Sequence, residues 1–270
     1  MGNIETMRRD WDERAKKDAF YYIATWQEKW DPDSFFQSGE QDYQTLVEPV
    51  LVQLQFEPSD KAMLEIGCGV GRMTRSFARR FERVYALDVS VEMLRRGRAL
   101  HEGADNILWL LGNGADLSMF KSSSLDFVFS YIVLHHLPTA ELALSYIREM
   151  LRVLKTGGVF LFQFNSRRQP TMNWKGQLVW GVIDWLRGGR LEWLSRRLAA
   201  ALGLDPLTAG KTWRGAVLDV REVLETVWAS GGAVVSVTGW GTQFTWCHGY
   251  KVAVRAKPIE GVARRVAKDG

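Results

Sequence analysis

The chain has 270 residues and a mass of 30.8 kDa, with 46% hydrophobic and 24% charged side chains; this balance excludes a disordered or fibrous protein and suits one large core. The net charge is +4, but residues 1–60 hold 6 basic and 13 acidic side chains whereas residues 167–215 hold 9 basic and 3 acidic. Two distant cysteines, Cys68 and Cys247, exclude a disulfide framework, and with no apolar leader or spanning run the expected location is the cytoplasm.

Trp11, Ala15, Ala19, Tyr22, Ile23 and Trp26 recur at helical spacing and predict an amphipathic N-terminal helix. Trp30-Asp31-Pro32-Asp33 breaks it, because proline removes a backbone donor. A second helix is predicted over 40–55, ending near Pro58. The rhythm then changes. Ala62–Ile66 reads as a strand, followed by a glycine loop and a helix through Arg72–Phe81. Val84–Asp88, Ile107–Leu111, Leu125–Tyr131 and Val159–Phe164 read as four further strands, with helices at Val91–Leu100 and over 139–154. Strands alternating with helices imply a parallel sheet covered on both faces. After a helix over 219–230, Val234–Gly239 and Thr245–Arg255 are too close together for another helix and form an antiparallel pair.

Residues 166–215 form an insertion before that last helix. Leu178, Val179, Val182, Ile183 and Leu186 share one helical face, as do Leu191, Leu194, Leu198 and Leu202, so a cap of two helices over the sheet's carboxyl edge is expected. Of the 12 tryptophans, five fall between Trp174 and Trp213. Trp174, Trp180, Trp185 and Trp193 stand among or beside the two apolar faces, more surface than one stripe needs. An apolar or aromatic ligand beneath the cap would use it; so would packing onto the core or a second subunit. Arg187, Arg190, Arg196 and Arg197 on the opposite faces suit anionic lipid, giving an expected peripheral membrane contact through 174–202.

The strongest local pattern is Leu64-Glu65-Ile66-Gly67-Cys68-Gly69-Val70-Gly71-Arg72. Glycines between a strand and a helix let a ligand approach the backbone, beside free amide donors. The spacing is G-x-G-x-G, with Arg72 where the dinucleotide fingerprint has its third glycine. Asp88 ends the next strand, placed to hold both hydroxyls of a ribose.

Together these residues make the chain resemble a class I S-adenosylmethionine-dependent methyltransferase, over roughly residues 60–165. The resemblance implies a Rossmann-like sheet of seven strands, mostly parallel with an antiparallel final strand, with helices on both faces. It divides the chain into an N-terminal helical cap (1–58), a core (59–165 and 216–256) and the insertion (166–215). It also implies that Gly67, Cys68, Gly69 and Gly71 pack on the methionine part of S-adenosylmethionine, with Glu65 supporting the loop and the amino group. Asp88 would hold the ribose, while Val89 and Met93 would flank the adenine. Gly112-Asn113-Gly114-Ala115-Asp116-Leu117 resembles the family's G-D-A-x-x-L segment, but Asn113 stands where the family has its adenine-binding Asp. Asn113 and Asp116 are therefore rival candidates, beside Gly114. Ser130 lies in the segment matching strand four and its exit. In relatives an N-terminal helix closes over the cofactor, which makes Arg14 a candidate for its carboxylate and Tyr22 for a lid contact.

His135 and His136 follow strand four, at the edge where open α/β sheets bind ligands. Either could take a proton from an acceptor near neutral pH, His135 being nearer the strand end, or the site works by placement alone. No metal-ligand spacing is visible, Gly210-Lys211-Thr212 lacks the first phosphate-loop glycine, and Met1–Thr6 matches only a loose myristoylation pattern. The expected function is methyl transfer from S-adenosylmethionine to a small, apolar or aromatic acceptor, leaving S-adenosylhomocysteine, by a monomer or homodimer. The alternatives are an RNA- or protein-modifying methyltransferase, suggested by the basic segment although no nucleic-acid platform accompanies it, and a non-catalytic cofactor-binding protein.

Overall fold

The computed structural model describes residues 2–166 and 215–253, together with the isolated positions 194, 197 and 201. The two predicted cap helices, with their tryptophans and arginines, and the C-terminal basic residues Arg264, Arg265 and Lys268 lie outside the described residues, apart from those isolated positions. Seven strands form one sheet: β1 (Ala62–Ile66), β2 (Arg83–Asp88), β3 (Ile107–Leu111), β4 (Leu125–Ser130), β5 (Leu154–Phe164), β6 (Gly232–Thr238) and β7 (Thr245–Lys251). Their order is β3-β2-β1-β4-β5-β7-β6. All neighbours pair parallel except β7, which runs antiparallel to both β5 and β6.

The period of two along β4 and β5 builds two cores. Phe127, Phe129, Val159 and Leu161 point to one face, where they meet Tyr43, Phe77 and Phe81. Val128, Phe160 and Phe162 point to the other, where they meet Ile147 and Leu151 of α6 (Ala140–Val153) and Val223 and Val227 of α7 (Val220–Ala229). The crossover helices start at side-chain caps: Ser90 accepts from Met93 N at the start of α5 (Val91–Leu100), and Thr139 and Asp219 do the same for α6 and α7.

The N-terminal region departs from its pattern. Helix α1 runs from Gly2 to Ile23 with a break at Asp18, whose backbone is extended and whose Oδ1 accepts from Tyr21 N at 3.0 Å. Trp26 therefore falls beyond the helix and is 56% exposed, not on its apolar face. The second helix begins earlier than its apolar spacing suggested, at Pro32, because Asp31 caps it. After α2 (Pro32–Asp42), a π turn (Tyr43–Val47) leads into α3 (Glu48–Gln53), where Pro49, lacking an amide donor, takes an early position. The helix expected over Arg72–Phe81 is shorter, α4 at Thr74–Ala78, with turns on either side. Among the described residues no helix is long and apolar enough to cross a membrane.

Gly39 carries α2 against the glycine loop. A Cβ there would lie 2.0 Å from the Arg72 carbonyl oxygen, a backbone atom. Helix propensity alone makes Ala about 1 kcal/mol better than Gly inside a helix. Here the overlap wins: Gly39→Ala should lower stability by ~2 kcal/mol, read as a lower urea midpoint with unchanged slope.

Candidate functional site

The carboxyl ends of β1, β2 and β4 open into one cleft, which holds about 1060 Å³ of empty space counting the part open to solvent. The glycine loop forms its floor. Gly67 N and Cys68 N both donate to Leu87 O, at 2.7 and 3.0 Å, and so tie the loop to β2. Gly67 has φ +73°, and a Cβ there would sit 2.2 Å from Val133 Cγ2 of the β4 exit. Gly71 has φ +90° and packs on His101 and Trp109, away from the cleft wall. Gly67, Cys68 and Gly69 line the cleft; Gly71 serves the loop's packing.

Two acids face the cleft. Glu65 is buried, Thr74 donates to its Oε2 at 2.5 Å, and its other oxygen has no partner among the described residues. Burial pushes its pKa up to about 8, against the pull of the Thr74 bond and the nearby Arg72. Asp88 accepts from Gly69 N at 2.9 Å and from Ser90 N at 2.8 Å, one bond to each oxygen. Each oxygen keeps a free lone pair. Desolvation raises Asp88 to about 6, and Asp12 adds to the rise. Burial also pushes the Cys68 thiol up.

Helix α1 covers these groups. Its Met7, Trp11, Tyr22 and Ile23 line the cleft, and Asp12 pins it by accepting from Ser90 Oγ at 2.5 Å and Glu92 N at 3.1 Å. The second of these bonds uses a free amide at the start of α5. Tyr22 thus stands on the lining. Arg14 does not: it is fully buried with its guanidinium 4.6 Å from the Trp11 ring centre. Arg72 instead reaches the wall, donating to Asp42 Oδ2 at 2.7 Å and Ser38 Oγ at 3.2 Å between the rings of Trp26 and Tyr131. Position 72 attracts notice in the sequence only as an absent glycine. Its place directly after the loop, where the chain turns into α4, was the available signal.

Val89 and Met93 lie on the wall after β2, as does Gly112 after β3. Asn113 and Asp116 do not, and each engages the other. Asn113 Oδ1 accepts from the amides of Ala115 and Asp116, and its Nδ2 donates to Asp116 Oδ1 at 2.7 Å. Gly114 lies under Ile4 and Met7 of α1. Ser130 is fully buried in β4, its Oγ without a hydrogen-bond partner among the described residues. Beyond it, residues 131–134 form the wall, then a 3₁₀ turn, Leu134–His136, follows. Successive residues of such a turn point about 120° apart, three to a turn. So His136 faces the cleft, edge-on to Trp11 at 5.1 Å, and His135 turns away. Loss of water pulls His135 down to about 4, opposed by a hydrogen bond with Gln163. The histidine nearer the strand end is thus not the one on the wall. Among the described residues no group of three His, Cys, Asp or Glu side chains could hold a metal.

A profile of methyltransferase domains matches residues 64–162, from the middle of β1 nearly to the end of β5. Residues 64–162 therefore form a methyltransferase domain. The methyltransferase domain resembles a ubiquinone biosynthesis O-methyltransferase of Xanthomonas axonopodis, 31% identical over 121 residues, 44% of this chain and 48% of that one. A probable methyltransferase of Aspergillus luteorubrus is 30% identical over 106 residues, 36% of this chain and 37% of that one. The chain therefore spans less than half the length of either relative. Among solved structures, magnesium protoporphyrin IX methyltransferase of Synechocystis with bound S-adenosylhomocysteine superposes with a TM-score of 0.59, covering 92% of this chain and 99% of that one. At 15% identity that likeness concerns the fold.

The two raised acids give the methyltransferase domain a pH signature. Folded, Glu65 keeps its proton up to about pH 8 and Asp88 up to about pH 6, against ordinary values of 4.5 and 3.8. Below about pH 6.5 the lowered His101, His135 and His248 act in the opposite sense; above it Glu65 still holds a proton that the unfolded chain has released, so raising the pH from there to about 8 removes stability. Melting temperatures of the free protein should fall between about pH 6.5 and about pH 8, and Glu65→Gln should flatten that decline.

Proposed function

We propose that this protein binds S-adenosylmethionine in the cleft and transfers its methyl group to a small, apolar or aromatic acceptor. The observation that carries the reading is the pairing of two desolvated acids, Glu65 and Asp88, with one guanidinium, Arg72, on an otherwise largely apolar wall. A ligand with a hydroxylated ribose at one end and an ammonium and carboxylate at the other fits those charges. The free lone pairs of Asp88 accept the two ribose hydroxyls. Glu65 accepts from the ammonium, and Arg72, not Arg14, meets the carboxylate. Val89 and Met93 flank the adenine, and Trp11 and Tyr22 of α1 keep water out.

When bound, S-adenosylmethionine supplies a methyl group on a positively charged sulfur. The chain's part is placement: the wall from Tyr131 to Leu134 holds an acceptor beside that methyl so that nucleophile and sulfur are in line. His136 is the histidine on the wall able to accept a proton from a hydroxyl or amine. An apolar acceptor is supported by the wall itself, where Trp11, Ile132, Val133 and Leu137 meet. It is further supported by the relatives, one named for ubiquinone biosynthesis and another, 23% identical over 191 residues, for a phytyl hydroquinone. Both ends of the insertion are fastened at this edge. Ser166 N donates to Thr242 O at 3.1 Å, and Gly215 N donates to His135 O at 2.8 Å.

Calorimetry with S-adenosylhomocysteine tests the first half, and no detectable binding would defeat it. Asp88→Ala should weaken binding by ~2 kcal/mol, about thirtyfold, through loss of two charge-assisted hydrogen bonds. Turnover of methyl-labelled cofactor with a panel of phenols and hydroquinones, the products identified by mass, tests the second. In that assay His136→Ala should slow turnover more than His135→Ala; the reverse order would remove His136 from the reaction.

A further inference from the structure

Strand β5 is apolar from Val159 to Phe164 except for one residue. Gln163 is 0% exposed, between the fully buried Phe162 and Phe164. A carboxamide in such surroundings is costly unless every donor and acceptor is used. Here the oxygen and the nitrogen are both engaged, with partners in two segments. Gln163 Oε1 accepts from Ile132 N at 3.1 Å and Nε2 donates to Gln243 O at 2.5 Å in the turn between β6 and β7, and the side chain also acts on His135, raising its pKa against the pull of burial.

What the carboxamide holds is strained. Among the described residues three non-glycine residues have φ in the left-handed region: Gln55, Ser123 and Ile132. Ile132, at φ +55°, is the β-branched one, for which this region is most unfavourable, and it alone of the three lines the cleft. Residues 130–135 around it contain two further unfavourable features. Ser130 Oγ and His135 Nδ1 are both buried without a hydrogen-bond partner among the described residues. Strain and unsatisfied polar atoms persist only where surrounding structure over-determines them, and they collect at functional sites. Nδ1 of His135 has no partner among the described residues, which leaves Nε2 as the ring nitrogen for Gln163.

We propose that Gln163 is a positioning residue: its carboxamide holds the left-handed turn at Ile132 and fixes His135 with its proton on Nε2, so the cleft wall from Tyr131 to His136 is formed before any ligand enters. The effect reaches the cofactor floor, because Val133 of that wall interlocks with Gly67. Its consequence for catalysis rests on the methyltransferase reading above; the arrangement itself does not.

The test uses the full chain and S-adenosylhomocysteine as probe. In the free wild-type protein, nitrogen-15 spectra of the histidine rings should show His135 protonated on Nε2 alone, and the Ile132 amide should exchange slowly. Gln163→Leu should release that amide to fast exchange, mix the His135 tautomers and weaken S-adenosylhomocysteine about tenfold. Gln163→Glu keeps an oxygen for the Ile132 amide and should retain its slow exchange, while losing the donor to Gln243 O. The proposal is overturned if Gln163→Leu leaves the Ile132 amide and the tautomer as in the wild type. Should that variant not fold, a wild-type His135 carrying its proton on Nδ1 overturns the proposal by itself. If the wild type binds no S-adenosylhomocysteine, the cofactor reading falls, while the exchange and tautomer measurements, made without ligand, still decide the role of Gln163.

Discussion

Two carboxylates kept from water at the carboxyl edge of a parallel sheet set the terms for everything around them. Glu65 and Asp88 stand near the carboxyl ends of the neighbouring parallel strands β1 and β2, Asp88 two residues beyond Ala86, the partner of Glu65. Unfolded, each would be hydrated; folded, each trades water for a few fixed donors and is left short of them. The glycine loop brings its Gly69 amide to one, Thr74 brings a hydroxyl to the other, and α1 seals both without supplying a cation. Such a site is incomplete by construction, and its unmet demand is for hydroxyls and positive charge. The fold supports that deficit through the two cores on either side of the sheet, which hold the strand ends in place.

Much of this was legible in the sequence because β1 to β5 are short apolar runs punctuated by glycine, proline and capping residues, signals that act within a few positions. Asp88 could be found because it ends such a run, and the loop because its glycines have no reason to recur in a helix. Several features could not be found this way. Apolar spacing continues smoothly through Asp18 and out to Trp26, so the break at Asp18 leaves no trace in periodicity; it depends on one side chain capping a new turn. Asn113 looked like a ligand residue because its neighbours match a motif, yet the loop spends its amide on the turn itself. The choice between His135 and His136 depends on the phase of a three-residue turn, which no sequence window specifies.

Arg72 joins the cleft to the N-terminal region. Its guanidinium is held by Asp42 and Ser38 of α2 and lies between Trp26, beyond α1, and Tyr131, beyond β4. Its carbonyl meanwhile sits against Gly39 of the same helix. One residue therefore ties together three segments far apart in sequence, and the helical segments before β1 are part of the site's wall rather than an appendage to it.

The position of β7 has a consequence for how the chain comes to be folded. It is the last of the described strands in sequence, yet it lies between β5 and β6 and is the only partner of β6 among the described strands. During synthesis the outer edge of β5, with its run of phenylalanines, has no neighbour until residues 245–251 have left the ribosome. An unpaired apolar edge of that kind invites pairing with other chains. The sheet therefore closes late and all at once, and nascent chains truncated before residue 245 should be clients for chaperones in a way that the finished protein is not.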